Sequence, residues 1–554
     1  MKTKICALLL ALVMLLTLAA CSGDDTTSPS PSESSSPSAD AQANAAESGL
    51  INNEVSADAE SGTVDVINLA NDRDPTDLGP WAGNQGGASA MIGVVYQTLN
   101  IREVDVADSA PCLAKTITQV SELVYDVELF DYIKDTAGND FTADDAVFCI
   151  ETAKELGKVA SVKVIESAEK TGDYTFRVTF SDATRTGDVE TFFNQVYFVT
   201  EKAYNDSPDS MATDPVGTSA YKLKEYTSGY LLSYEATGSY WQTDEQYIAR
   251  SSEAHAKVIN YYIITEASQR ATAVEGGTID YAAIAYTDLS RVEALEGYYI
   301  NEVPDNLTWL LFPNCAEGVA TDNLELRKAI FYALDNEAIA AFFSTGKAVP
   351  VYDISNSNYS DYYETEYKAS AGSDIYKYDP ALAKSLLAEA GYADGITLRL
   401  IVTSTEAGTN LAQIIKNYLA EVGINVEISS YQGSMISTYA DDSSAWDLYL
   451  LQYASTDYAV NVWEKVLNKA KFNWGGTINF IMSDELQDML SSVRSGAGHT
   501  KENVIAFHDY FAENAYGIGV IQEVNCYAVN NTLEQVVMSD QRIIRPNASI
   551  YTVD

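Results

Sequence analysis

Apolar and polar positions along this chain fall into three successive patterns. The first is nearly unbroken: behind Lys2 and Lys4, an apolar run extends from Ile5 to Ala20. It is shorter than the about 20 residues a helix needs to cross a bilayer, and it suits the hydrophobic region of a secretory leader. Residues 1–20 therefore read as a signal peptide. The second pattern is almost empty of large apolar side chains. Ser22 to Ala46 reads SGDDTTSPSPSESSSPSADAQANAA, and no Lys or Arg occurs between Lys4 and Arg73. Such a stretch cannot bury enough surface to offset its ordering entropy, so 21–61 is expected to be a disordered, self-repelling stalk.

The third pattern, from Thr63 onward, is periodic. Val64, Val66 and Leu69 begin a strand, and the turn-rich NDRDPTDLGPWAGNQGG follows it. Thr142 and Asp145 make a capping box ahead of a stripe at Val147, Ile150 and Ala153, and Gly157 closes that helix. Tyr174 to Phe180 alternates as a strand, and Tyr221 to Tyr234 reads as two strands joined through Thr227-Ser228-Gly229. The stretch TDNLELRKAIFYALDNEAIAAFF has helical spacing and a capping box at Asp322 and Glu325. Another helix is set by Asp379 as N-cap, Pro380 at its first position, a stripe at Leu382, Leu386 and Leu387, and Gly391 at its end. Strand Ile396–Val402, helix Asn410–Val422 and strand Ile424–Ile428 make a βαβ unit, with Trp446–Leu451 as the next strand. A right-handed crossover and a partly parallel sheet follow, so the fold class is α/β.

Length adds that one core does not suffice: 554 residues call for two or three domains. Charge removes a function class. With 34 Lys+Arg against 79 Asp+Glu, the formal charge is −45, a surface that repels a phosphate backbone, so no nucleic-acid partner is expected. The 37 Tyr suit strands and binding clefts alike. Outside the leader and Cys21, the cysteines are Cys112, Cys149, Cys315 and Cys526. None forms a CxxC pair, so metal knuckles lack support. Free buried thiols are the default, and a disulfide's pairing is not readable from sequence. The three His, His255, His499 and His508, have no HExxH partner, and no GxSxG elbow occurs. No catalysis, metal or cofactor is expected, although a carboxylate pair for glycoside cleavage would leave no motif.

Two resemblances sharpen this. Leu18-Ala19-Ala20-Cys21 at the end of the apolar run matches the lipobox of bacterial lipoproteins. That implies cleavage before Cys21 and diacylation of its thiol, hence a lipid anchor on the cell membrane and an extracytoplasmic location. Four further segments, in order, resemble the family 5 extracellular solute-binding proteins of ABC importers: FTADDAVFCIE, PVGTSAYKLKEY followed by SYWQ, LRKAIFYALDNEAI, and YKYDPALAKSLLAEAGY. They resemble the family's "LTAEDVVFS", "PVGTGPY…YW", "VRQAIAYAID" and "YDPEKAKQLLAEAGY". Ser219-Ala220 replace the usual Gly-Pro, and Gly138-Asn139-Asp140 replace the turn ahead of the first segment. Gly217 reads as supporting a turn before a strand.

The resemblance implies a type II, periplasmic-binding-protein-like fold: two lobes with an inserted subdomain and a ligand cleft between the lobes. Lobe I would combine 62–97, 213–305 and 515–554, the inserted subdomain 98–212, and lobe II 306–514. A monomer closing by a hinge over a solute, in the first place a peptide, and docking on a permease is the implied function. In peptide-binding members an Asp in an "ADYxDP"-like segment pairs with the peptide's ammonium group. Here Asp457-Tyr458 stand at that place, followed by Ala459-Val460 instead of Asp-Pro. Trp81 and Trp474, beside glycine-rich turns, are candidates for pocket walls or for core. Carbohydrate, nickel and haem are the other solutes relatives take, and few His weigh against the last two. A peptide-sensing receptor lipoprotein is a further reading.

Overall fold

The computed structural model describes residues 64–83, 88–101, 109–182, 184, 187–249, 252, 254, 256–352, 354, 375–454, 467, 483–494, 498–531, 533–536 and 550–552. The leader, Cys21 and the stalk lie outside the described residues.

Strand β1 (Val64–Asn71) opens the fold. A four-stranded antiparallel sheet follows, formed by β2 (Ala114–Ser121), β3 (Val124–Leu129), β4 (Ile165–Gly172) and β5 (Thr175–Phe180) in the order β2-β3-β5-β4. Helix α1 (Ala143–Leu156) packs on it. Its ends follow the local code: Thr142 N donates to the Asp145 carboxylate at 2.7 Å, and Gly157 turns left-handed at φ 66°. The interior of this sheet is continuous with that of β1, since Ile67, Leu69, Ile150, Phe176 and Val178 share one apolar cluster.

Ten further strands join β1 in one 11-stranded sheet. They are β6 (Tyr221–Thr227), β7 (Leu231–Ala236), β8 (Ala256–Ile263), β9 (Tyr281–Ile284), β10 (Tyr298–Pro313), β11 (Ala348–Pro350), β12 (Ile396–Thr403), β13 (Ile424–Tyr431), β14 (Leu448–Ala454) and β15 (Ile518–Asn530). The order is β13-β12-β14-β10-β15-β9-β1-β8-β7-β6, with β11 beside β15. β1, β8 and β9 are parallel to one another, and so are β12, β13 and β14. The last of these strands along the chain, β15, thus occupies the middle of the sheet. β10 and β15 are long enough to run through both halves, giving a two-lobed α/β fold stitched by two antiparallel strands.

Lobe II matches the expected βαβ unit, with α6 (Glu406–Glu421) running between β12 and β13. It starts four residues earlier than expected because Thr405 caps it, accepting from Gly408 N at 3.1 Å. The 321–343 stretch departs from a single helix. It forms α3 (Leu324–Tyr332) and α4 (Asn336–Phe342). Asn323, not Asp322, caps α3, accepting from Leu326 N at 2.9 Å, while Asp335 caps α4 at 3.0 Å to Ala338 N. The break is held by Asn336, whose amide donates to the carbonyls of Val351 at 2.6 Å and Gly519 at 2.9 Å. α5 (Pro380–Glu389) begins as expected, with Asp379 accepting from Ala381 N and Leu382 N. Its buried face is Ala383 and Leu387, and Leu382 is exposed.

Gly217 also needs a different explanation. A Cβ there would lie 1.8 Å from the Val95 carbonyl oxygen, so the residue is a point of close backbone approach.

Candidate functional site

Strand register locates the gap between the lobes. Along β9 the pairing runs from Tyr281 opposite Val529 to Ile284 opposite Cys526, so its C-terminal end faces the middle of β15. β1 and β8 are parallel to it and end on the same side, where Ile264 N donates to Asn71 O at 2.8 Å. Arg270 ties these ends together from helix α2 (Ala267–Glu275), donating to the carbonyls of Ala283, Ile264 and Thr265. In lobe II, β14 runs from Leu448 opposite Pro313 to Ala454 opposite Leu307, so its C-terminal end also arrives at the middle of the crossing strands. β12 and β13 point the same way. Loops at the carboxyl ends of parallel strands carry ligand groups in α/β folds, and here both sets converge on one seam. Between Pro304 and Thr308 the register of β10 on β15 shifts, which marks the seam itself.

At the seam β15 carries the polar pair Gln522-Glu523. Gln522 is fully buried, and Glu523 is half-buried. Trp309 pairs in register with both Gln452 and Ile521, and Glu523, two residues past Ile521, shares their face. Glu523 Oε1 accepts from Trp309 Nε1 at 2.7 Å and from Gln452 Nε2 at 2.8 Å. The indole has no room to swing away. It is fully buried, and its Cη2 lies 2.9 Å from where a Cβ on Gly408 would stand. On the opposite face of the strands, Lys347 donates to Glu302 and lies 3.8 Å from Glu293. The Glu302 hydrogen bond raises the Lys347 pKa above the usual lysine range.

Asp457, Tyr458 and Trp474 lie outside the described residues, as does His255. β14 ends at Ala454, at the seam, three positions before Asp457. Trp81 is placed in the interior, where Nε1 donates to Tyr197 O at 3.0 Å and the ring packs 5.1 Å from that of Tyr204. That is the core alternative for this residue, and it gives Trp81 no face on the gap. None of Cys112, Cys149, Cys315 and Cys526 is joined in a disulfide. Among the described residues no group of three or more His, Cys, Asp or Glu is placed to hold a metal ion. A shallow depression of about 560 Å³ lined by Gly318, Asp322, Asn323 and Tyr392 lies beyond the far end of β10, away from the seam.

Trp309, Gln452 and Glu523 escaped the sequence reading because they come from three strands up to 214 residues apart. One signal was present: Gln522-Glu523 interrupt the apolar run IGVIQEVNCYAV.

The family model of bacterial extracellular solute-binding proteins, family 5 Middle, matches residues 109–464. The heme-binding protein A of Haemophilus influenzae is 24% identical over 327 residues, covering 54% of this chain and 56% of that protein. The oligopeptide-binding protein AppA of Bacillus subtilis is 23% identical over 356 residues, covering 58% of this chain and 61% of its own length. The aligned stretches thus span less than two thirds of these relatives. In structure, the ABC transporter substrate-binding protein CtaP from Listeria monocytogenes superposes with a TM-score of 0.73 at 18% identity, over 89% of this chain and all of that one.

Proposed function

Because the chain belongs to the bacterial extracellular solute-binding proteins, family 5, we propose that it captures a small solute, a peptide in the first place, between its two lobes and delivers it to an ABC importer. It acts outside the cytoplasm as a monomer, held to the membrane by the lipid on Cys21, and carries out no chemical turnover. One observation carries this reading: the carboxyl ends of both sets of parallel strands face one seam, which among the described residues is crossed by the long strands β10 and β15. Two long paired strands whose register already shifts at the seam can bend and twist there, which suits lobe closure over a ligand. Asp457, just beyond the seam end of β14, is the proposed partner of the peptide's ammonium group, with Tyr458 beside it and Trp474 as a wall.

Calorimetry tests this with free and N-acetylated forms of one peptide on the parent protein and on Asp457→Asn. A charge-assisted bond of about 1.5–3 kcal/mol predicts a roughly 10- to 150-fold rise in Kd for either change. The two changes together should do no more than one, since both remove the same interaction. Equal affinity for free and acetylated peptide would refute the role of Asp457, and no binding of any peptide would refute the peptide reading. The likeness to a haem-binding protein makes haem the second reading, which a titration followed by haem absorbance decides.

A further inference from the structure

We propose that Lys347, Glu302 and Glu293 form an ion strut across the seam that holds the two lobes at their present angle. The proposal goes beyond the solute-binding reading and does not depend on which solute the cleft takes.

Placement comes first. The register of β10 on β15 shifts between Pro304 and Thr308, and Glu302 precedes that shift, opposite Cys526. Glu293 ends the short helix Leu289–Glu293, whose Leu289 and Val292 share an apolar cluster with Ile284 of β9 and with Cys526 and Ala528 of β15. Both carboxylates therefore travel with lobe I. Lys347 travels with lobe II. It follows α4, whose Ile339 and Ala340 pack with Phe343, Ile518, Val520 and Ile521 in a different apolar cluster. Asn336 fixes the same segment by donating to Gly519 O at 2.9 Å. The three charges thus meet from two separately packed cores on either side of the break.

Aim comes second. Gly346 has φ 86°, which turns the chain left-handed immediately before Lys347. β11 then pairs at once with β15, Ala348 opposite Glu523. With a fixed turn before it and a paired strand after it, the lysine stem starts from a rigid backbone. Its Nζ donates to Glu302 and lies 3.8 Å from Glu293.

Strength comes third. A rotation at the break separates the lysine from at least one of the carboxylates, so the strut resists it. The side chains are 26% exposed at Lys347, 47% at Glu293 and 44% at Glu302, which makes the group sensitive to salt and moderate in strength. Ion pairs of this exposure bias a two-state equilibrium by about two- to fivefold and do not lock it. A bound solute can overcome such a restraint.

The test is double electron–electron resonance on the protein without added solute, with spin labels at Thr272→Cys on α2 and Ala420→Cys on α6, both exposed positions. Lys347→Met keeps most of the stem and removes the charge. It should raise the fraction of molecules outside the parent's main distance about two- to fivefold. Lys347→Arg should restore the parent's distribution. Glu293→Gln leaves the Lys347–Glu302 pair and should give a smaller shift of the same kind, which keeps the test readable if Lys347→Met lowers the thermal midpoint. Salt at about 1 M should move the parent toward Lys347→Met and leave that variant where it is. Unchanged distances in both Lys347→Met and Glu293→Gln overturn the proposal. A shift that Lys347→Arg does not reverse overturns it too, since that marks lost packing and not lost charge. Because no solute is added, these outcomes hold whether or not the protein binds a peptide.

Discussion

Gly217 offers a quantitative check on how the N-terminal part of the fold is assembled. Its α-carbon passes so close to the turn at Val95 that an added methyl would stand 1.8 Å from the Val95 carbonyl oxygen and 2.7 Å from its carbonyl carbon. Contacts under 3.0 Å essentially never occur, so one backbone must retreat by more than an ångström. Two hydrogen bonds depend on the present spacing: Thr136 N to Gly217 O at 2.8 Å, and Ser219 N to Val95 O at 3.3 Å. Overpacking costs about 1–3 kcal/mol, and two strained backbone hydrogen bonds add about 1 kcal/mol each. Gly217→Ala should therefore lose about 3–5 kcal/mol, a large part of a typical domain's stability. Gly138→Ala is the control. Gly138 has φ +88° and nothing within 4 Å of its would-be Cβ, so only backbone strain of about 1–2 kcal/mol applies. Urea unfolding followed by tryptophan fluorescence measures both. A Gly217→Ala protein within about 0.5 kcal/mol of its parent, or more stable than Gly138→Ala, would refute the close-approach argument.

The cysteines and the lipid give two further predictions. Burial pushes the thiols of Cys315 and Cys526 up to about 11 and that of Cys149 higher still. At pH 8 about one part in a thousand of Cys315 or Cys526 is then thiolate, so iodoacetamide should modify these three only after unfolding, and rapid native labelling of Cys315 by mass spectrometry would contradict this. Cys21→Ala should release the protein into the medium or leave its precursor unprocessed, and a processed Cys21→Ala protein that still partitions into detergent would argue against acylation there.

What was legible in the sequence was local. The Thr142–Asp145 box, the Gly157 terminus and the Asp379-Pro380 start each rest on groups within a few residues, and each stands in the structure as read. Distant partners decided the rest. The chain breaks after α3 because Asn336 is claimed by carbonyls at Val351 and Gly519, which no window around residue 336 contains. Trp81 is buried by Tyr197 and Tyr204, and Gly217 is needed because of Val95. The seam is the extreme case. β10, β14 and β15 are separate in sequence, and only their registers reveal that Glu523, Gln452 and Trp309 form one group. The family resemblance supplied the lobes but not this floor, since the motifs that carry it set turns and helix ends.

The position of β15 has a consequence for how the protein is made. Synthesis delivers the chain from its N-terminus, so every other strand of the 11-stranded sheet emerges before Ile518. Until then β9 and β10, the two neighbours that β15 joins, both present open edges, and neither lobe is closed. Open edges invite pairing with other chains. The nascent protein must therefore stay protected until almost its last strand has arrived, and a ribosome that stops short of residue 518 leaves two unfinished lobes rather than one complete and one missing.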